Sequence, residues 1–122
     1  MKFTELLDSI KSQHEAVSKQ VVDLKAKQKV LKKAGIEYGT PSYKEGRYLR
    51  IIRPANAERG RKFDYIGADP DKQKAVLDAI ERGKQFDLLG SEIASLEEAL
   101  GFVDSELSHL SMRFKWKHGI DI

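Results

Sequence analysis

GRYLRIIRPANAERGRKFDYIGADP, residues Gly46 to Pro70, is the stretch on which the reading of this chain turns. It holds two runs rich in β-formers, Arg47–Arg53 and Arg61–Ile66, stopped by Pro54 and Gly67 and joined by the loop ANAERG. Two such runs joined by a turn-rich loop predict an antiparallel hairpin. Side chains alternate across a strand, so Tyr48, Arg50 and Ile52 share one face of the first, and Leu49 and Ile51 the other. In the second strand Arg61, Phe63 and Tyr65 oppose Lys62, Asp64 and Ile66. Neither strand alternates cleanly between apolar and polar residues, and the pattern leaves either face open as the buried one. An isolated two-stranded hairpin is marginal in water. One face is therefore expected to rest on helices, on a third strand drawn from residues 36–43, or on a partner.

Working outward, the segment before the hairpin is helical. Phe3, Leu7, Ile10, His14, Val17, Val21, Leu24, Gln28 and Leu31 follow one another at alternating spacings of four and three. That is a heptad seam, the signature of a coiled coil. Lys25, Lys27, Lys29, Lys32 and Lys33 crowd its last turns and Gly35 follows, which is the expected way for a helix to stop. Residues 36–46, with two glycines and a proline, predict an irregular connection.

The segment after the hairpin is helical as well. Asp69 is suited to cap it, Pro70 to its first position, and Asp71 to the positive end of its dipole. Val76, Leu77, Ile80, Phe86, Leu89, Ile93, Leu96, Leu100, Val103, Leu107, Leu110 and Phe114 form an apolar stripe. Gly83, Gly90 and Gly101 each weaken a helix by about 1 kcal/mol relative to alanine. One helix over 70–117 is the preferred reading, with a kink or break near Gly83–Ser91 as its rival. The fold class expected is mainly α with a small β-hairpin (α+β): an antiparallel coiled-coil helical hairpin in the order helix, β-hairpin, helix. Residues 1–122 are read as one domain, with the first helix over 1–34 and the connection and basic hairpin over 36–67. If both helices meet at the hairpin, residue 34 lies opposite about residue 71 and Phe3 opposite about residue 102. Val103, Leu107, Leu110 and Phe114 then lack an intramolecular partner. Together with Trp116 they read as a seam for a homodimer or for a docked partner.

The 122 residues carry a net charge of +3, but it is segregated. Residues 1–34 hold eight lysines against four acids, 44–62 seven Lys or Arg against two, and 69–111 four against ten. The positive pole is the hairpin, and a segregated charge says more about partners than a total does. With no cysteine, disulfide and thiolate chemistry are excluded. No run is apolar enough for a membrane helix and the N-terminus lacks a signal-peptide core, so a cytoplasmic protein is expected.

No catalytic constellation stands out. His14 falls on the seam, where a polar residue sets register; His109 lies beside it and His118 in the tail. Asp69 and Asp71 are explained by capping, and the glycines match neither phosphate-loop nor dinucleotide spacing. A non-enzyme without metal or cofactor is the expectation.

The hairpin stands above this background. Lys44, Arg47, Arg50, Arg53, Arg59, Arg61 and Lys62 are interleaved with Tyr43, Tyr48, Phe63 and Tyr65. Arginines make bidentate phosphate contacts, exposed aromatics stack on bases, and a two-stranded ribbon fits a DNA major groove. Nucleic-acid binding is the first reading. The alternative is a protein-binding inhibitor or adaptor, and Arg113-Phe114-Lys115-Trp116-Lys117 offers a second basic-aromatic cluster for such a role.

The hairpin's ending, Tyr65-Ile66-Gly67-Ala68-Asp69-Pro70-Asp71-Lys72, leads into a charged helix, and the whole stretch from Gly46 to Leu89 resembles a pattern in small, mostly uncharacterised coiled-coil and β-hairpin proteins of bacteria, phages and mobile elements. The resemblance implies a phage or mobile-element setting, where small soluble proteins bind DNA or block a host defence nucleoprotein complex such as a CRISPR effector. It transfers no site residues.

Overall fold

A computed structural model describes residues 2–54 and 62–122. In chain order the elements are α1 (Phe3–Ala34), β1 (Thr40–Lys44), β2 (Tyr48–Arg53), β3 (Lys62–Gly67) and α2 (Pro70–His118). The class is α+β, as expected. The elements group into two compact units: Lys27–Leu89, which is continuous in sequence, and Met1–Ala26 with Gly90–Ile122.

In the continuous unit the three strands form an antiparallel sheet in the order β1-β2-β3. The predicted hairpin is β2 and β3. The connection expected to be irregular contributes a strand instead, with Thr40 to Lys44 pairing against Ile52 to Tyr48. Its Pro41 is tolerated because β1 is an edge strand, where a missing N–H costs no ladder bond. With a neighbour on each side, β2 is the central strand.

The same pairing decides which face is buried. Leu49 and Ile51 are almost fully enclosed and pack with Ile80 of α2, flanked by Ile66, Val76 and Leu77. Two buried aliphatic side chains stabilise by about 1.5–3 kcal/mol each. Leu49 pairs with Gly67 and Arg50 with Tyr65, so Ile66 is the extra residue of a bulge, and it too joins this core.

The start of α2 is capped as the sequence predicts: the Asp71 amide donates to Asp69 Oδ1 at 3.0 Å. The helix then runs without a break through Gly83 and Gly90 to His118. Gly83 is there for close approach. The Glu37 amide donates to the Ala79 carbonyl at 3.0 Å, and a Cβ at Gly83, one turn on, would come within 2.6 Å of the Glu37 carbonyl oxygen. The glycine that weakens the helix admits the backbone that crosses it.

At the end of α1, Gly35 takes φ 102° and its amide bonds to Leu31 and Lys32. Arg82 of α2 donates from Nε to the Gly35 carbonyl at 2.6 Å and from Nη2 to that of Ala34 at 3.4 Å. A guanidinium at a helix C-terminus satisfies orphan carbonyls and complements the dipole. It also corrects the expected register, because Gly35 meets residue 82 rather than 71. The reason is the sheet: the first turns of α2, with Val76, Leu77 and Ile80, serve Leu49 and Ile51 and are not free for α1.

In the other unit, α1 and α2 residues pair in opposite directions. His14 Nε2 lies 3.0 Å from Asp104 Oδ1 and Lys25 Nζ 3.2 Å from Glu97 Oε1. Val21, Leu24 and Ile93 are its buried residues. The expectation that Val103 and Leu107 lack intramolecular neighbours is corrected here, since both line a groove with Leu7, Ile10 and His14. Phe114 is half-buried, with its ring against His118 at 6.3 Å. Leu110 and Trp116 are exposed. Gly119 ends α2 at φ 64°, its amide bonded to the Lys115 carbonyl and that of Ile120 to Phe114.

Candidate nucleic-acid interface

Because Leu49 and Ile51 turn toward α2, Tyr48, Arg50 and Ile52 turn away, and cross-strand pairing gathers other residues beside them. Lys44 is opposite Tyr48, Ser42 and Tyr65 flank Arg50, and Thr40 and Phe63 flank Ile52. Directly opposed residues share a face. The outer face of the sheet therefore collects three of the predicted aromatics and two of the predicted cations; Lys62, though exposed, is opposite Arg53 and belongs to the other face.

The rings are not equivalent. Tyr65 is 76% exposed, against 41% for Tyr48 and 39% for Phe63. The guanidinium of Arg50 lies over Phe63 at 5.0 Å, and that of Arg47 over Tyr48 at 5.1 Å. Such contacts are worth about 0.5–1 kcal/mol at exposed sites. A guanidinium held over a ring still has N–H donors to offer a phosphate. Arg50 Nε also reaches Ser42 Oγ at 3.4 Å, at the long end for a hydrogen bond.

A tight turn brings Lys44 and Arg47 together at one end of the sheet. The Arg47 amide donates to the Lys44 carbonyl at 3.3 Å, and Glu45 and Gly46 both have positive φ, 55° and 71°. Two successive left-handed residues are the pattern of a type I′ turn, whose twist matches that of a hairpin. Beside this turn is a cleft of about 340 Å³, lined by Lys44, Glu45, Tyr48, Leu49, Tyr65 and Gly67. Gln73, in the first turn of α2, steadies its margin by donating to the carbonyls of Arg47 at 2.9 Å and Gly67 at 2.7 Å.

Arg53 does not belong to this face. It shares the inward side with Ile51, donating from Nε to Asp64 Oδ2 at 2.7 Å and from Nη1 to Glu37 Oε2 and the Tyr38 carbonyl, each at 2.8 Å. The Arg53 hydrogen bond holds the Asp64 carboxyl below its usual range, and the same bond raises the Arg53 pKa. Arg53 is a clasp between the sheet and the chain before β1, with its Nε and Nη1 both committed. Arg59 and Arg61 lie outside the described residues. Tyr43 is exposed on β1, opposite Leu49.

The sequence reading missed Ser42 and Gln73. Their roles depend on the third strand and on a helix turn crossing two strand ends, and neither carries a local signal. Among the described residues no group of three or more His, Cys, Asp or Glu could hold a metal ion, and no helix is long and apolar enough to cross a membrane. Comparison of the chain with models of known families, with curated proteins and with solved structures finds no match.

Proposed function

We propose that this chain is a non-enzymatic nucleic-acid-binding accessory protein that binds through the outer face of its sheet. One observation carries the reading. Tyr48, Phe63 and Tyr65 stand exposed on or beside a surface with Lys44, Arg47 and Arg50, while the opposite face packs on α2. Aromatic planes edged by cations suit bases joined by phosphates.

The test is a salt titration with random-sequence oligonucleotides, single-stranded and duplex. Three phosphate contacts on a single strand give a slope of log K against log salt of about −2. Arg47→Glu with Arg50→Glu abolishes binding while leaving the Arg53 clasp intact. Absence of binding to either form at low salt would sink the proposal.

A second reading rests on a different surface. Phe102 and Trp116 are 66% and 78% exposed on α2, and Leu110 is 48% exposed. Such residues suit a homodimer or a protein partner, including an inhibitor's target such as a host nucleoprotein complex. Light scattering with mass determination tests the dimer: a single-chain mass at high protein concentration rules it out. A pull-down from nuclease-treated host lysate tests the protein partner, and loss of every partner after that treatment counts against it.

A further inference from the structure

We propose that the ligand of the sheet is a single strand, and that the cleft between Tyr48 and Tyr65 receives one of its unpaired bases. This rests on the nucleic-acid reading above and narrows it.

The third strand first argues against a duplex groove. The sequence alone suggests a two-stranded ribbon, which would fit a major groove about 12 Å wide. With β1 added, two inter-strand spacings put the outer strands about 10 Å apart before any side chain is counted. The back of the sheet is also occupied, since Leu49 and Ile51 are packed on Ile80 of α2. A sheet of that breadth, backed by a helix, presents a face and not a blade. Exposed rings on a face suit bases that have been splayed out of a helix.

The cleft then selects base over phosphate. Its tyrosines supply stacking surface, and Tyr65 at 76% exposure has its ring largely free. Gly67 contributes lining without a side chain, and its φ of 96° favours glycine there. The volume, about 340 Å³, is at the small end of ligand pockets. Glu45 is the acid among the lining residues, held at the cleft by its left-handed turn. A carboxylate there repels a phosphate and tolerates a neutral base. Lys44 and the neighbouring Arg47 remain for the flanking phosphates.

The experiment compares three probes of equal length by fluorescence anisotropy at low salt: a base-bearing single strand of DNA, the corresponding abasic strand, and a duplex. The base-bearing strand binds at least tenfold tighter than the other two, in keeping with stacking on an aromatic side chain. Tyr65→Ala removes most of that advantage and leaves abasic-strand binding unchanged; Tyr48→Ala acts in the same direction. Unfolding midpoints of the variants confirm that the sheet is intact. If the abasic strand or the duplex binds as tightly as the base-bearing strand, the cleft assignment is overturned and the nucleic-acid reading stands. If none of the three binds, both fall.

Discussion

The carbonyl oxygen of Glu37 occupies the space into which a side chain at Gly83 would grow, 2.6 Å from where its Cβ would sit, with the Tyr38 ring next at 3.4 Å. Gly83→Ala improves helix propensity by about 1 kcal/mol, but overpacking against fixed backbone costs about 1–3 kcal/mol. A net loss is expected. Gly101, in the same helix, has nothing within 4 Å of an added Cβ, and Gly101→Ala is expected to gain about 0.5–1 kcal/mol. Urea unfolding of the two variants checks the contrast; equal gains would show that residues 37–38 do not cross α2 at Gly83.

Arg50 and Arg53 are three positions apart on β2, and that odd spacing turns them to opposite faces of the sheet. Arg53→Ala is expected to lower stability by about 1–2 kcal/mol, because it strips hydrogen bonds from two partly solvated carboxylates and a carbonyl. Arg50→Ala is expected to change stability by less than about 0.5 kcal/mol and to weaken nucleic-acid binding. Thermal melts beside binding isotherms separate the two; the reverse assignment would mean that the sheet faces are interchanged.

The pH dependence has two limbs of opposite sign. The Asp64 carboxyl is depressed by its bond from Arg53, so its contribution is present above the ordinary carboxylate pKa and is lost as pH falls through the lower folded value. Tyr38 donates to Asp87 Oδ1 at 2.9 Å, and this bond raises the phenol above its ordinary 10.0. Its contribution is full below that value and is lost as pH rises through the folded one. Denaturation midpoints measured across pH should lose the acid limb in Asp64→Asn and the alkaline limb in Tyr38→Phe.

Arg82 caps a helix to which it does not belong. Arg82→Ala is expected to cost about 1 kcal/mol and to speed amide exchange at Gly35 and in the last turn of α1. Hydrogen exchange read by NMR tests this; protection unchanged from the wild type would show that the Gly35 carbonyl has another donor.

Glu45 adopts φ 55°, a conformation costing a non-glycine residue about 1–2 kcal/mol, which asparagine tolerates better. Glu45→Asn is expected to raise stability by a few tenths to about 1 kcal/mol. A thermal midpoint that falls would mean that the carboxylate makes a stabilising contact that outweighs the strain.

What was legible in the sequence was whatever a residue announces to its near neighbours. Asp69-Pro70-Asp71 marks a helix start because capping acts over two or three positions, and the α1 seam is a run of fixed spacings. Pro41, Gly39 and Gly46 punctuate an edge strand as readily as a loop, so the strand Thr40–Lys44 is legible only as one of three ways to cover the hairpin. Arg53 looked like its fellow arginines, since its partners Glu37 and Asp64 are 16 and 11 residues away. The helix register was out of reach for a related reason: it depends on how many turns of α2 the sheet consumes. At the site, the residue types were readable, and the face that presents them was not.

The division into one continuous unit and one assembled from both ends of the chain bears on the order of folding. Strand pairs in the sheet join residues close in sequence, whereas His14 and Asp104 are separated by 90 positions. Short loops close at lower entropic cost than long ones. Residues 27–89 are therefore expected to nucleate, and pulse-labelled exchange should protect Leu49 and Ile51 before Val21 and Leu24. In a chain emerging from the ribosome, the sheet would be complete before the last turns of α2 existed, and the N-terminal helix would wait for its partner to be synthesised.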